Sequence, residues 1–253
     1  MPVALGLGLL SIGRRWGVAN GPPPARAEAV ELVAGALALG VTFFDTAPAY
    51  ADSEEILGEV FAARGGPPAG VVLATKMGEH WDPHGQSTTV DHGYDALRRS
   101  IDRSLERLGR IDLLQVHKAT PENVGSDPVL KAVEYARTCG VREFGASVGS
   151  MAAVSAACRT GRYRYVQFPF SSVRREMEPA FELLRKFGVV PIVNRPLDMG
   201  SIVRDCADAA EKERVMRRAF EFIRDRASDG VVLTGTRTLV HLTQSVGAFG
   251  PVS

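Results

Sequence analysis

The sequence predicts an α/β fold and, within that class, a single (β/α)8 TIM barrel. Short apolar segments alternate with longer amphipathic ones, and eight such units occupy the 253 residues. Eight strand–helix units are typical of a closed parallel barrel, which usually takes about 250 residues. Hydrophobic residues make up 45% and charged residues 23% of the chain, which excludes disordered, collagen-like and coiled-coil proteins. We therefore expect one domain over residues 1–253, without a linker or a second domain.

The eight apolar segments are short and rich in Val, Ile, Leu and Phe, as expected for parallel strands that are buried on both faces. They span residues 3–10, 41–45, 70–76, 111–117, 141–148, 165–170, 190–197 and 230–235. A doubly wound open sheet is the alternative, but it usually carries a G-x-G-x-x-G loop after an early strand. The sequence LGLG at 5–8 does not match that loop, so the barrel is favoured.

The segments between the strands carry helix signals. Segment 92–109 has one apolar stripe at helical spacing. The stripe consists of Leu97, Ile101, Leu105 and Leu108. Other predicted helices span 53–63, 128–139, 211–227 and 238–247. Asp52 followed by Glu55 predicts a capping box, and Asp127 before Pro128 predicts an N-cap followed by a proline at the first helical position.

Charge and cysteine content narrow the class of protein further. The chain has 30 Lys and Arg against 29 Asp and Glu, so we expect no nucleic-acid partner. It has no run of about 18 apolar residues, so we expect no membrane span. The basic residues near the N-terminus follow the first apolar run instead of preceding it, so we expect mature protein there and not a signal peptide. Three widely spaced cysteines predict neither a disulfide framework nor a zinc site, and a cytoplasmic location is expected.

Four reactive side chains lie at the ends of three consecutive predicted strands or just after them. Asp45 ends the second strand and Tyr50 follows it, Lys76 ends the third, and His117 ends the fourth. Each residue alone is more often a cap, a solvated charge or a satisfied polar group, but a barrel places its active site at this end of its strands. Asp45 can hold Lys76, whose ammonium group lowers the pKa of Tyr50, and His117 can donate a hydrogen bond to a substrate oxygen. This set predicts an oxyanion site with a proton donor, suited to a carbonyl that becomes an alkoxide.

The segments around these residues resemble the signatures of the aldo-keto reductase family. They are GVTFFDTAPAYADSEEILGEVF at 40–61, LATKMG at 73–78 and IDLLQVHKA at 111–119. The motifs follow the family's order across essentially the whole chain, and its four catalytic residues correspond to Asp45, Tyr50, Lys76 and His117 without substitution. The resemblance implies NAD(P)H-dependent reduction of an aldehyde or ketone to an alcohol, with hydride from the nicotinamide and a proton from Tyr50. It also implies a dinucleotide that lies extended across the barrel mouth without a Rossmann glycine motif.

The resemblance implies nicotinamide-binding residues as well, with departures. Ser147 and Gln167 correspond to residues that bind the carboxamide, but Val148 stands where the family has Asn. Asn194 stands where the family usually stacks an aromatic residue on the nicotinamide. Arg195 follows, and its guanidinium plane can stack in place of that residue or form a structural salt bridge.

Segment 233–242 resembles the family's adenosine-phosphate segment. Gly235 and Thr236 offer backbone amides near a predicted helix N-terminus, which suits a phosphate. Arg237 would bind a 2′-phosphate and favour NADPH, with NADH as the alternative cofactor and an ordinary surface charge as the alternative role. His241 stands where many relatives carry Arg or His.

Two tryptophans are candidate substrate contacts. Trp81 lies in the loop after the third strand and Trp16 in the loop after the first, and simple packing is the alternative for both. His80 and His84 have a helical metal-ligand spacing, but Pro83 argues against a helix, so we expect no metal site. The chain ends soon after the last predicted helix, so we expect the family's long C-terminal loop to be missing and the pocket to be open or completed by another subunit.

The main hypothesis is therefore a carbonyl reductase that prefers NADPH and acts on a small molecule. A polyol or sugar dehydrogenase, or an enzyme of one specialised metabolite, is the second hypothesis on the same scaffold. A non-catalytic nucleotide-binding regulatory subunit is the third. Val148 and Asn194 favour that third hypothesis, whereas the four intact catalytic positions count against it. The sequence predicts no particular oligomeric state.

Overall fold

The computed structural model describes residues 3–250 and contains a closed barrel of eight parallel strands. In chain order the strands are β1 (Ala4–Gly8), β2 (Phe43–Asp45), β3 (Val72–Met77), β4 (Glu79–Asp82), β5 (Ser87–Val90), β6 (Leu113–Ala119), β7 (Glu143–Val148), β8 (Tyr165–Pro169), β9 (Val190–Asn194) and β10 (Val231–Gly235). Strands β4 and β5 form a separate antiparallel hairpin, and the other eight close into the barrel with β1 beside β10. The predicted (β/α)8 barrel is confirmed, and each predicted apolar segment overlaps one barrel strand.

The helices follow the barrel strands along the chain. They are α1 (Leu10–Gly13), α2 (Arg26–Ala38), α3 (Ser53–Ala62), α4 (Tyr94–Leu108), α5 (Asp127–Thr138), α6 (Met151–Thr160), α7 (Pro179–Phe187), α8 (Ala209–Arg224) and α9 (Leu239–Phe249). Short 3-10 helices span Pro48–Tyr50 and Asp198–Val203. The predicted stripe of α4 packs inward, since Leu97, Ile101 and Leu108 are buried and Leu105 is partly buried against the core. Over residues 3–250, no helix has both the length and the apolar character that crossing a membrane requires.

Two predicted helix caps are wrong. Asp52 precedes α3, but its side chain makes no capping hydrogen bond because its backbone (φ −81°, ψ 2°) is not in the extended conformation that N-cap residues usually adopt. The N-cap of α5 is Ser126, and Asp127 is already the first helical residue. The structure has a capping hydrogen bond to a carboxylate at the N-terminus of α2 instead. There Glu28 accepts a hydrogen bond from the backbone N–H of Ala25 at 2.9 Å.

Inward-facing side chains fill one end of the barrel. This cluster consists of Phe43, Ala74, Leu113, Ile192, Val231 and Leu233. Gly6 leaves room for it, because a Cβ atom at that position would lie 2.9 Å from side-chain carbons of both Leu233 and Val231. Three of the six are the first residues of their strands and the other three are third residues, so the cluster closes the N-terminal end of the barrel. The opposite end, where the strands finish, is left for a cavity.

Ala51, the residue after Tyr50, has a strained backbone. Its φ of 50° and ψ of −118° are readily adopted only by glycine. We expect Ala51→Gly to raise the free energy of unfolding by about 1 kcal/mol, measured by urea denaturation. Ala63→Gly is the matched control, since exposed Ala63 has an ordinary φ of −62° and should lose stability on the same change. An equal loss in both variants would contradict the strain at Ala51.

Candidate active site

A cavity of about 1100 Å³ opens where the barrel strands end. It is lined by all but two of the residues that the sequence predicts for catalysis, cofactor binding or substrate binding, the exceptions being Lys76 and Trp81. The lining residues of that set are Trp16, Asp45, Tyr50, His117, Ser147, Gln167, Asn194, Arg195, Gly235, Thr236, Arg237 and His241. The barrel thus brings side chains from seven of its strands and the loops after them to one site, as its topology requires.

Lys76 and Asp45 form a buried ion pair at the floor of the cavity. The Nζ atom of Lys76 donates to Asp45 Oδ2 at 2.6 Å and to the backbone carbonyl of Thr46 at 2.9 Å. The other oxygen of Asp45 accepts a hydrogen bond from Gln115 Nε2 at 2.9 Å. Burial alone lowers the pKa of Lys76, but Asp45 and Tyr50 raise it by more, so the pKa lies above its usual value and the ammonium stays charged. Gln115 has no predicted role from the sequence, although its buried side chain turns inward to Asp45.

Tyr50 is the last residue of the 3-10 helix after β2 and lies between Lys76 and His117. The Nζ atom of Lys76 is 4.8 Å from the centre of the phenol ring. The ring of His117 packs edge-on at 5.8 Å between ring centres. Burial raises the pKa of Tyr50, and the opposing effect of Lys76 is smaller. The predicted net lowering of the Tyr50 pKa is therefore wrong, although Lys76 alone does lower it. The phenol is protonated at neutral pH, as a proton donor must be.

An irregularity in β6 sets the position of His117. The register of β6 against β7 shifts around this residue, and Lys118 has a left-handed backbone with φ +52°. The backbone carbonyl of His117 accepts a hydrogen bond from His92 Nε2 at 2.8 Å. Gly78 makes space for that ring, because a Cβ atom there would lie 2.6 Å from it. A bulge of this kind re-aims a side chain and is common beside active sites.

Glu79 is a further carboxyl group in the site. It is buried and lines the cavity, and its Oε2 atom lies 3.0 Å from His117 Nδ1. Its Oε1 atom accepts a hydrogen bond from Thr88 Oγ1 at 2.8 Å across the β4–β5 hairpin. Glu79 has no predicted role from the sequence, because the segment after β3 is expected to be a loop and forms the β4–β5 hairpin instead. Burial, followed by the positive charge of Lys76, holds the pKa of His117 well below its usual value, so the imidazole is neutral at pH 7.

The structure does not place Trp81 at the cavity. Trp81 lies on β4, and the guanidinium of Arg14, which does line the cavity, is 5.3 Å from the centre of its ring. The predicted substrate contact of Trp81 is thus not supported, since Trp81 is not among the residues that line the cavity. Trp16 does line the cavity, and Arg195 lies over its ring at 5.2 Å.

The residues assigned to the nicotinamide lie on three adjacent strands. Ser147 of β7 and Gln167 of β8 are partners in the parallel register. Asn194 ends β9, and its Oδ1 atom is buried without a hydrogen-bond partner among residues 3–250. Arg195 forms no salt bridge within that range, so its contact with Trp16 is the interaction that the structure shows.

The loop after β10 and the start of α9 form the other part of the cavity. The N-cap of α9 is Thr238, whose hydroxyl accepts a hydrogen bond from the backbone N–H of His241 at 3.3 Å. Arg237 donates to the backbone carbonyl of Trp16 at 2.7 Å and so ties this part to the loop after β1. Lys212 of α8 lines the same region. Burial lowers the pKa of His241, and the positive charges of Lys212 and Arg237 lower it further. His241 is therefore neutral at pH 7, and the positive charge of this region comes from Lys212 and Arg237.

Comparison with known proteins fits this geometry. The chain matches the model of the Aldo/keto reductase family over residues 4–250. It belongs to the aldo-keto reductase family. The uncharacterized oxidoreductase YqkF of Bacillus subtilis is 26% identical over 213 residues, which are 82% of this chain and 65% of YqkF. The 6-dehydroglucose reductase of Novosphingobium aromaticivorans is 40% identical over 114 residues, which are 41% of this chain and 35% of that protein.

This aldo-keto reductase therefore aligns with less than two-thirds of the length of either relative. Its fold is also that of the glycerol dehydrogenase AKR11B4 from Gluconobacter oxydans, with a TM-score of 0.80 at 23% identity. That match covers 98% of this chain and 87% of the other, and at this identity it shows the fold alone.

The cavity of this aldo-keto reductase fits the NAD(P)H that its family generally uses. Two buried acceptors that line it, Asn194 Oδ1 and Gln244 Oε1, have no partner among residues 3–250. A nicotinamide carboxamide and an adenine amino group both carry N–H donors of the kind these oxygens lack. The backbone amides at Gly235 and Thr236, close to the N-terminus of α9, suit the phosphates. Over the described residues, no group of three or more His, Cys, Asp and Glu side chains could hold a metal ion.

Proposed function

We propose that this aldo-keto reductase reduces the carbonyl group of a small aldehyde or ketone to an alcohol. The observation that carries the proposal is a protonated Tyr50 packed against the charged Lys76–Asp45 pair at the floor of a cavity that fits a dinucleotide. When bound, the reduced nicotinamide supplies the hydride that the carbonyl carbon accepts. The substrate in this proposal is a small molecule, and the protein has neither a nucleic-acid partner nor a membrane partner. The proposed location is the cytoplasm.

In this reaction the residues of the chain handle the proton and the developing charge. The Tyr50 hydroxyl gives its proton to the carbonyl oxygen as negative charge builds there. The ammonium of Lys76 stabilises the phenolate that remains, and it is held in place by Asp45 and by the carbonyl of Thr46. Gln115 occupies the second oxygen of Asp45, which keeps that carboxylate pointed at Lys76.

We further propose that the preferred cofactor is NADPH, because Lys212 and Arg237 present positive charge at this part of the cavity. Titration with NADPH and with NADH, followed by intrinsic fluorescence, should give the lower Kd for NADPH. Lys212→Gln should raise the Kd of NADPH about tenfold and leave that of NADH nearly unchanged, because only NADPH carries the 2′-phosphate. Arg218→Gln, an exposed change on the same helix, is the control and should alter neither Kd. Equal affinity of the wild type for both cofactors would contradict the NADPH preference but not carbonyl reduction.

A polyol or sugar dehydrogenase is the second candidate. The polar environment of His117 next to Glu79 favours a hydroxylated substrate. One of the similar proteins also carries the name of a 6-dehydroglucose reductase. Carbonyl reduction and alcohol oxidation can use the same residues in opposite directions, so assays in both directions, with NADPH and with NADP⁺, distinguish the candidates.

A further inference from the structure

Arg14 is a cation of the cavity wall without a carboxylate partner in the described chain. It follows α1, lines the cavity and is partly buried. No carboxylate oxygen among residues 3–250 lies within 4.0 Å of a nitrogen atom of its side chain. Because an arginine guanidinium stays protonated in proteins, this part of the wall carries a positive charge that the described residues do not pair.

Three contacts hold the guanidinium of Arg14 beside Tyr50. Its Nη1 atom donates a hydrogen bond at 3.0 Å to the backbone carbonyl of Ala49, the residue before Tyr50. Gly13 packs against the backbone of Tyr50 so closely that a Cβ atom at Gly13 would overlap the Tyr50 carbonyl. The ring of Trp81 supports the guanidinium, with its centre 5.3 Å away, as in a cation–π contact. The positive charge is therefore fixed next to the residue that delivers the proton.

Most of the hydrogen-bonding capacity of Arg14 is unused by the described residues. A guanidinium has five N–H donors, and among residues 3–250 only one of these, on Nη1, has a partner. The edge formed by Nε and Nη2 is left for a ligand. This edge can donate two parallel hydrogen bonds to a carboxylate or a phosphate, which are among the strongest hydrogen bonds in proteins.

The two buried carboxyl groups that line the cavity do not pair with Arg14. Asp45 is held by Lys76, whose Nζ atom lies 2.6 Å from Asp45 Oδ2. The lysine closest to Glu79 in its listed ion contacts is Lys118, whose Nζ atom lies 3.8 Å from Glu79 Oε1. An anionic group that entered the cavity would therefore meet a guanidinium with vacant donors.

We infer that Arg14 binds an anionic group of the substrate, a carboxylate or a phosphate, while Tyr50 binds the carbonyl oxygen. The inference rests on the proposed carbonyl reduction and names its substrate class, which is an aldehyde or ketone that carries a negative charge. Because Arg14 is fixed beside Tyr50, this second contact would direct the carbonyl group toward the proton donor. A neutral analogue would leave the guanidinium unpaired and would be bound less tightly.

The substrate class is tested with matched pairs of a charged and an uncharged carbonyl compound. The pairs are 4-oxobutanoate with its methyl ester, 4-carboxybenzaldehyde with methyl 4-formylbenzoate, and glyceraldehyde 3-phosphate with glyceraldehyde. We expect the wild type to have at least about a tenfold higher kcat/KM for the charged member of one or more pairs, chiefly through KM. The pairs that show this preference tell a carboxylate from a phosphate. Equal kcat/KM within every pair would overturn the inference and leave carbonyl reduction standing.

Variants of Arg14 test whether this residue causes the preference. Arg14→Gln should bring the ratio of charged to uncharged kcat/KM close to one. Arg14→Lys should give an intermediate ratio, because an ammonium keeps the charge but not the two parallel hydrogen bonds. Arg15→Gln is the matched control and should keep the wild-type ratio, since Arg15 is exposed and does not line the cavity. A wild-type ratio in Arg14→Gln would overturn the assignment to Arg14.

A binding measurement tests the same inference without turnover. The full-length protein with NADP⁺ is titrated by calorimetry with benzoate, phenyl phosphate and benzamide, none of which carries an aldehyde or ketone. We expect at least one of the two anions to have a Kd at least about tenfold lower than that of benzamide, and Arg14→Gln to lose this difference. Equal Kd values for all three compounds would overturn the inference. Absence of turnover with every carbonyl compound above and with a wider panel would contradict the proposed function, while the calorimetry would still decide anion binding by Arg14.

Discussion

Replacing Tyr50 with Phe should lower kcat for carbonyl reduction by about 10²- to 10⁴-fold, the usual contribution of a positioned acid. The substitution removes only the hydroxyl, so the ring can keep its edge-on contact with His117 and its position above Lys76. The alkoxide that forms on hydride transfer then has no adjacent proton donor. The loss is measured as the rate of NADPH oxidation under saturating cofactor.

The matched control for this variant is Tyr163→Phe. Tyr163 is also buried, but its hydroxyl donates to the backbone carbonyl of Val124, and the residue does not line the cavity. Its loss should cost stability of about 1 kcal/mol and leave kcat unchanged. Cofactor affinity should be the same in both variants and in the wild type. Undiminished turnover of Tyr50→Phe would remove Tyr50 from the mechanism.

The barrel and the four central residues could be predicted from the sequence for a definite physical reason. Parallel strands buried on both faces appear as apolar runs, and their C-terminal ends must meet at one rim. Asp45, Lys76 and His117 each end such a run, so their proximity follows from topology without knowledge of any side-chain contact.

The rest of the site depends on packing that the sequence does not display. Glu79 is part of the site because the polar segment after β3 folds back as a hairpin. That segment has no run of apolar residues from which its strands could be predicted. In the sequence Gln115 is only a polar residue within a strand, and its hydrogen bond to Asp45 forms only in the closed barrel. The pKa of Tyr50 is raised because burial has a larger effect than the positive charge of Lys76. The balance of these two effects depends on the folded environment. Sequence patterns thus locate the reactive groups, whereas their protonation states depend on tertiary packing.

Replacing Lys76 with Met should lower the free energy of unfolding by about 3–5 kcal/mol, because it leaves a buried carboxylate without its cation. Both side chains of the Lys76–Asp45 pair are almost completely inaccessible to solvent. In the variant, Asp45 would retain only the hydrogen bond from Gln115. Urea denaturation measures the loss. Arg26→Met is the control, because it breaks an ion pair with Glu59 that is about half exposed and should change stability little.

The double variant Asp45→Asn/Lys76→Met separates the structural role of this pair from its chemical role. With both charges removed, no buried ion lacks a partner, so most of the stability lost in Lys76→Met should return. The two changes should therefore be strongly non-additive in the free energy of unfolding. Turnover should not return, because no ammonium is left to stabilise the Tyr50 phenolate. Additive losses of stability would contradict the coupling of these two charges. Recovery of turnover together with stability would show that the pair only supports the fold, and the proton transfer would then have to depend on Tyr50 and His117 alone.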